Sequence, residues 1–365
     1  MTPKKIINTF LSLTAVTTVA NSLIWGVNTL FLLAAGMNIF QVMIINAAFT
    51  TGQLIFNIPT GVIADTIGRR ASYLLSTATI LASTLAYVVV GYYHLGIVAF
   101  MLASIFLGLG FTFYTGAVDA WMVDALHHLN YKGEIDPIFA RGGIVFGASM
   151  LVGTTMGGIL GQYALWLPYV VRAFLLIPAF LIGLFYIKEI GFTPMKLKAS
   201  QFGEAFKRIT MAGVKYVLGD RVVLLLMLST FVQGLFFIYG FYSWQKYFLD
   251  LLHMNLVWVA GVIAALTTNF FVAVALYLVF TAAFGCMTPI KASWLNSRIP
   301  SEQRATLISM DSNFSDVGGT IGQLGLGYIS QAISIPFAWL LGGAVQLAGW
   351  PLIYAAKRRE KHPSK

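Results

Sequence analysis

The chain has 365 residues, of which 58% are hydrophobic and 10% charged, and its mean hydropathy is +0.80. A soluble domain carries about 25% charged residues, so this composition excludes an ordinary soluble globular protein. The formal net charge of +10 would suit a nucleic-acid partner, but the distribution of the charges along the chain argues against one. We therefore expect a membrane protein.

Ten apolar segments of about 20 residues or more follow one another along the chain. Each is long enough to cross a hydrocarbon core about 30 Å thick, and inside lipid such a segment satisfies its backbone hydrogen bonds by forming a helix. They predict an all-α multi-pass membrane protein with about ten full transmembrane helices, at residues 7–34, 39–63, 72–93, 97–126, 139–162, 165–187, 222–245, 270–295, 306–330 and 336–356.

Basic residues are concentrated on one side of these spans. If the N-terminus is cytoplasmic and the spans alternate, all of the 23 Lys and Arg residues except Arg172 and Lys246 fall on the cytoplasmic side. This is the positive-inside pattern. It predicts a protein of the cell membrane with both termini in the cytoplasm, surrounded by lipid and without a nucleic-acid partner.

A polar segment divides the spans into six and four. We expect residues 1–187 to form a six-helix bundle, residues 188–221 a cytoplasmic linker, and residues 222–365 a shortened bundle with a basic tail. Phe202 and Phe206 recur at helical spacing within the linker. They indicate a short amphipathic helix lying on the inner leaflet.

The hinge between the second and third spans has the pattern G-x-x-x-D-x-x-G-R-R, carried by Gly61, Asp65, Gly68, Arg69 and Arg70. Gly61 would let two helices approach closely. Gly68 supplies a backbone position with few steric limits in a tight turn, and the two arginines hold that turn in the cytoplasm. The simpler interpretation is an ordinary polar turn that obeys the positive-inside rule.

The hinge, the layout of six spans before a basic linker and the linker itself together resemble the major facilitator superfamily, in its drug-efflux-like or uncharacterised bacterial branch. The resemblance implies two bundles and a secondary active transporter that carries a small molecule by alternating access, without a cofactor. It also implies that the hinge arginine pairs with an acid at the inner end of the fourth helix, where Asp124 lies. Asp65, Arg69, Arg70 and Asp124, with Arg141, would then form a latch for the outward-open state.

The superfamily commonly has six spans in each bundle, and the second half of this chain is short by about two spans and a turn. The shortfall lies near residues 251–271, where the apolar piece at 256–266 is too short to cross. That piece is either a re-entrant half-helix or a kinked extension of the next span. Such an internal deletion leaves two functions open, namely a working transporter or a transporter-derived protein that has been inactivated or repurposed.

A membrane enzyme is a third alternative. No nucleophile–base pair, metal cluster or phosphate-binding loop in the sequence supports it. The single cysteine and the five histidines lack metal-ligand spacing, so we expect no metal site.

The fifth span contains a second family-like pattern. Gly153, Gly157 and Gly158 resemble the G-P-x-x-G-G motif of antiporters, although Thr154 replaces the proline. Gly153, Gly157 and Gly161 are four residues apart, a spacing that places small residues on one helix face for close packing. The pattern therefore indicates either export or helix packing.

Five charged residues lie more than about one helical turn from either end of their span, where an ionisable group is costly and usually faces a cavity or a partner. Asp316 lies roughly 15 Å into its helix by the 1.5 Å rise per residue. Asp311 and Lys291 are at similar depths on consecutive spans, where they would form a neutral pair. We expect Asp119, Asp316 or Asp311 to take up and release the coupling proton, with Lys291 and Arg172 as charge partners. The alternative is a static ion pair or a solvated wall.

Amide and aromatic side chains within the spans are candidates for substrate contact. Such groups in a mostly apolar pocket suit a neutral or cationic amphipathic small molecule. We expect the protein that binds it to be a monomer. The alternative for each of them is a hydrogen bond between helices. The candidates are Asn21, Trp25, Asn28, Gln53, Asn57, Gln233 and Tyr239.

Overall fold

A computed structural model describes residues 1–114, 116–191, 202–253 and 304–361, together with eight single positions between 272 and 299. Within these residues the regular structure is α-helical, which confirms the all-α prediction. The helices are α1 (Pro3–Ser22), α2 (Asn28–Ala34), α3 (Ile39–Ile67), α4 (Arg69–Tyr92), α5 (Ile97–Tyr114), α6 (Ala117–His128), α7 (Asp136–Tyr163), α8 (Leu167–Tyr186), α9 (Phe202–Gly219), α10 (Arg221–His253), α11 (Arg304–Ala332), α12 (Ile335–Leu347) and α13 (Gly349–Lys361).

Seven segments of the described chain are long and apolar enough to cross a membrane. Helices α1 and α11 are outside this set. In α11 the reason is visible in the sequence, because Asp311, Asp316 and Gln323 lower its hydropathy. The predicted half-helix at residues 256–266 lies outside the described residues. The seven segments are residues 39–57, 69–92, 97–128, 136–163, 167–186, 221–250 and 335–359.

Three predicted spans contain breaks. The first span stops at Ser22 and resumes at Asn28. In the turn between them, the N–H groups of Trp25 and Val27 donate to the carbonyls of Ser22 and Ile24, three residues back. The fourth span is interrupted before α6 at Gly116, whose φ of +74° is left-handed. The last span breaks at Ala348. The sequence predicts continuous helices here because the apolar runs themselves are unbroken.

The described chain forms two compact units. One comprises Met1–Met37 and Ile55–Lys198, and the other comprises Asn38–Leu54 and Ala199–Lys365. The first part of α3 therefore packs in the second unit, where Thr50 donates a hydrogen bond of 3.2 Å to Oε1 of Gln323. The predicted domains are continuous along the chain, and these units are not.

In the first unit, α1 packs against α7 and α8. Its inward residues recur every three to four positions, as in a helix with one buried face. Ile6 and Leu13 have no exposed surface and join a core cluster with Tyr73 and Trp121. This core joins α1, α6 and the start of α4, next to the hinge.

In the second unit, α10 and α11 are in close contact. Glycines allow this approach, because a Cβ added at Gly318 or Gly322 would overlap a backbone carbonyl of α10. The amphipathic helix predicted in the linker corresponds to α9. Its Val217 is buried in a cluster with Val223 and Leu307.

Candidate functional site

The hinge between α3 and α4 is a single-residue turn. Gly68 has a φ of +104° and a ψ of 160°, a combination that is essentially restricted to glycine. The N–H of Arg70 donates a hydrogen bond of 2.6 Å to Oε1 of Glu189, so this carboxylate caps the start of α4. The guanidinium of Arg70 donates a second bond, of 2.7 Å, to the carbonyl of Leu184.

We expect Gly68→Ala to destabilise the protein by about 2 kcal/mol, because the alanine would strain the backbone. Its Cβ would also lie 2.5 Å from Oε1 of Glu189 and displace the cap. Thermal unfolding of the purified protein in detergent measures the effect. Gly61→Ala is the matched control and should be neutral or gain up to about 1 kcal/mol, since Gly61 is inside a helix with open space around it. Equal melting temperatures for the two variants would contradict the prediction.

Gly61 does not have the close helix contact that the sequence predicts for it. Gly61 is exposed, and no described atom lies within 4 Å of the position that a Cβ would occupy. In this conformation it therefore does not mediate the close helix approach predicted for it.

Two members of the predicted latch lie close together. Nε of Arg69 is 3.8 Å from Oδ2 of Asp124, and both side chains are partly exposed. Arg141 is exposed, and among the described residues no ion pair joins it to Asp124. The side chain of Asp65 lies outside the described part of the structure.

The segment after α8, residues 187–191, packs beside this ion pair. Nε1 of the buried Trp121 donates a hydrogen bond of 2.8 Å to the carbonyl of Lys188. Gly191 has a φ of +76° and approaches the carbonyl of Asp124 so closely that an added Cβ would lie 2.6 Å from it. The segment thus contacts α4 through Glu189 and α6 through Lys188 and Gly191.

The glycines of the fifth span pack against the first span. A Cβ at Gly153 would lie 2.6 Å from the carbonyl of Val19, one at Gly157 would overlap the carbonyl of Leu23, and one at Gly161 would lie 2.8 Å from Val27. This geometry supports the packing interpretation of the pattern.

Gly158 differs from its neighbour. It is exposed, and no described atom lies within 4 Å of its Cβ position, because it points away from α1. Among the described residues, Gly158 therefore takes no part in the packing against α1 that Gly153 and Gly157 provide.

A charged cluster lies in the second unit. Nζ of Lys291 is 3.4 Å from Oδ2 of Asp311. The hydroxyl of Thr230 donates a bond of 2.5 Å to Oδ1 of Asp311 and accepts one from Lys291. Because Lys291 is only 8% exposed, its ammonium group is removed from water. Asp311 and Thr230 therefore supply the polar contacts that stabilise its charge.

Asp316 lies on the same helix as Asp311 but outside this cluster. It is half-buried, and no ion pair or hydrogen bond to its carboxyl is found among the described residues. A carboxyl group that is partly removed from water, without a cation among the described residues, can change its protonation state when its surroundings change. Asp311, in contrast, is held by a lysine.

The other two intramembrane charges lie in the first unit. Asp119 is exposed and occupies the first turn of α6, directly after the break at Gly116. Arg172 is 1% exposed, and its Nη2 donates a bond of 3.0 Å to Oδ1 of Asn21. The predicted role of Arg172 as a charge partner is not seen, because its described hydrogen bond is to a neutral amide.

The candidates for substrate contact fall into two groups. Asn21, Asn28 and Tyr239 are buried and bonded to another helix, to Arg172, Tyr169 and Ser330 respectively. For these three the interpretation as bonds between helices is favoured. The other candidates are half-buried, which is compatible with substrate contact, and they are Trp25, Gln53, Asn57 and Gln233.

Sequence reasoning missed two residues of these clusters, Glu189 and Thr230. Glu189 is 119 residues from its partner Arg70, and nothing local marks it as a helix cap. Thr230 lies in an apolar span in which a hydroxyl normally bonds to its own backbone. In the described chain no group of three or more His, Cys, Asp or Glu residues is arranged to hold a metal ion.

The sequence matches the family model of the Major Facilitator Superfamily over residues 10–267, which is more than half of the chain. The chain belongs to the Major Facilitator Superfamily. The resemblance to this superfamily predicted from the sequence is thereby confirmed. This superfamily member is a multi-pass membrane transport protein. No curated protein sequence matches it significantly.

Solved structures of transporters share the fold of this superfamily member. A mutant form of the nucleoside transporter NupG matches with a TM-score of 0.73 at 12% identity, over 97% of this chain and 99% of that one. The POT family transporter PepTSo matches with a TM-score of 0.68 at 12% identity, over 99% of each chain. The human organic anion transporter MFSD10 matches with a TM-score of 0.62 at 14% identity, over 97% of this chain and 100% of that one. At these identities the likeness shows the fold alone.

Proposed function

We propose that this superfamily member is a secondary active transporter that moves a small molecule across the cell membrane by alternating access, with a proton as the coupling ion. Its substrate is a neutral or cationic amphipathic molecule. The protein works as a monomer. Both of its termini are in the cytoplasm, as the distribution of Lys and Arg favours. Membership of the superfamily supports the transport step.

The contrast between Asp316 and Asp311 carries the proposal of proton coupling. Asp311 is paired with Lys291, so its charge is compensated in this conformation. Asp316 is five residues further along α11, half-buried and without a described partner. A carboxyl in this position can bind a proton in one conformation and release it in another.

Arg69 and Asp124 support the latch that the hinge motif implies. Their separation of 3.8 Å at partial exposure makes a weak contact, worth about 0–1 kcal/mol. A weak contact suits a group that must separate and re-form in each transport cycle. We propose that Asp65, Arg70 and Arg141 act with this pair.

Proton coupling is tested with the purified protein in liposomes that contain a pH-sensitive dye. Ethidium serves as a cationic amphipathic probe, and uridine and dialanine represent the nucleoside and peptide classes named for the structural neighbours. We expect one of these compounds to cause proton movement. Asp316→Asn should abolish that movement, because an amide cannot exchange a proton at this position. Gradients imposed in both directions identify the direction of transport.

Asp250→Asn is the matched control for this experiment. Asp250 pairs with Lys246 on the surface of α10, one helical turn away, so its loss should leave proton movement intact. Proton movement that survives Asp316→Asn would remove Asp316 from the coupling role. If no compound moves protons with the unaltered chain, the result favours the alternative of a transporter-derived protein that no longer transports.

A further inference from the structure

A groove of about 480 Å³ lies between the start of α1 and the end of α8, within the first unit and apart from the hinge. One wall is polar and basic, and the other is apolar and aromatic. The residues that line it include Lys4, Lys5, Asn8, Ser12, Ile182 and Tyr186.

The polar wall is one face of α1. Lys5, Asn8 and Ser12 are three to four residues apart and exposed, whereas Ile6 and Leu13 point into the core on the other side. Asn8 and Ser12 continue this polar face along the helix for about 10 Å beyond Lys5, by the rise of 1.5 Å per residue. If the groove opens to lipid, the exposed hydrogen-bond donors of Asn8 and Ser12 need a polar partner, because the hydrocarbon region offers no water.

The apolar wall is the last turn of α8. Ile182 and Tyr186 are one turn apart, and Tyr186 is exposed at the end of the helix, as aromatic residues often are at a membrane interface. Nζ of Lys5 lies 5.4 Å from the centroid of the Tyr186 ring, a cation–π contact that brings the ammonium over the groove.

We propose that this groove binds the phosphate headgroup of an anionic phospholipid from the cytoplasmic leaflet. Lys4 and Lys5 neutralise the phosphate, Asn8 and Ser12 donate hydrogen bonds to the ester oxygens of the lipid below it, and the acyl chain follows Ile182. A ligand with a charged head and an apolar tail satisfies both walls, whereas a free anion satisfies only one. Basic pockets between helices on the cytoplasmic side bind lipid headgroups for the same reason. The choice of leaflet rests on the topology proposed above.

The test is native mass spectrometry of the full chain in detergent, titrated with dioleoyl phosphatidylglycerol. We expect Lys4→Gln with Lys5→Gln to weaken binding about 30-fold, or roughly fivefold for each lysine near a phosphate. Both side chains are exposed, so the melting temperature should not change. The outcome does not depend on the leaflet, since the protein is in detergent, and so it is independent of the proposed topology and transport.

Lys357→Gln with Arg358→Gln is the matched control, because it removes the same charge from two exposed positions in the basic tail. Retained binding in this control, together with loss in the groove variant, supports the site. Equal loss in both variants overturns it, and so does equal binding of phosphatidylcholine, which carries no net charge. Displacement of phosphatidylglycerol by inorganic phosphate at equal concentration shows a site for the free ion and overturns the lipid assignment.

Discussion

Gly157→Ala should lower the stability of the protein by about 2 kcal/mol, although alanine is the better helix former by about 1 kcal/mol. The added Cβ would overlap the carbonyl oxygen of Leu23 and lie 3.0 Å from its Cα. Both atoms belong to the backbone of the break in the first span, so no side-chain rotation relieves the overlap. The helices α1 and α7 would have to move apart along their contact.

Gly158→Ala is the matched control for this prediction. Gly158 is the next residue on the same helix, is exposed, and has no described atom near its Cβ position. The control should therefore gain up to about 1 kcal/mol from helix propensity, which leaves a difference of about 3 kcal/mol between the variants. Thermal unfolding in detergent measures it. Closely similar melting temperatures would show that α1 and α7 are not packed as described.

Lys291→Met should destabilise the second unit by about 3 kcal/mol, because it leaves the charge of Asp311 without its cation in a mostly buried place. Removing both charges, with Asp311→Leu added, should recover most of that loss, since a buried ion pair often contributes little compared with apolar packing. Denaturant unfolding in mixed micelles gives the free energies for this double-mutant cycle.

The pair Lys246–Asp250 provides the comparison within the same unit. Its side chains are 33% and 40% exposed and one helical turn apart. A pair of this kind contributes about 0.3–0.5 kcal/mol, so Lys246→Met should change stability far less than Lys291→Met. A large loss in the Lys246→Met variant, or no recovery in the double variant, would contradict the account given for Lys291.

Seven of the ten predicted spans coincide with described segments that are long and apolar enough to cross a membrane, because the length of an apolar run reflects the thickness of the bilayer. The sequence does not predict the break between Ser22 and Asn28. The residues there are as apolar as their neighbours, and the break is matched by Gly157 and Gly161, more than 130 positions away. A contact between distant segments leaves no mark on local hydropathy.

The glycines also show that the sequence predicts features set by the helix itself but not those set by contacts with distant segments. The spacing of Gly153, Gly157 and Gly161 correctly predicts one packed face, since periodicity is a property of the helix itself. Gly61 and Gly158 look equivalent to them in sequence but have open space around them. Which glycines are needed for packing depends on where the neighbouring helix lies, and that is a property of the tertiary fold.

The segment at residues 187–191 has a mechanical consequence. It receives a hydrogen bond from the start of α4 through Glu189 and another from α6 through the carbonyl of Lys188, and it is covalently continuous with α8. Force applied to the chain beyond Gly191 is therefore transmitted at once to three helices rather than to one. When Arg69 separates from Asp124 as α4 moves away from α6, we expect the bond from Arg70 to Glu189 to come under load at the same time.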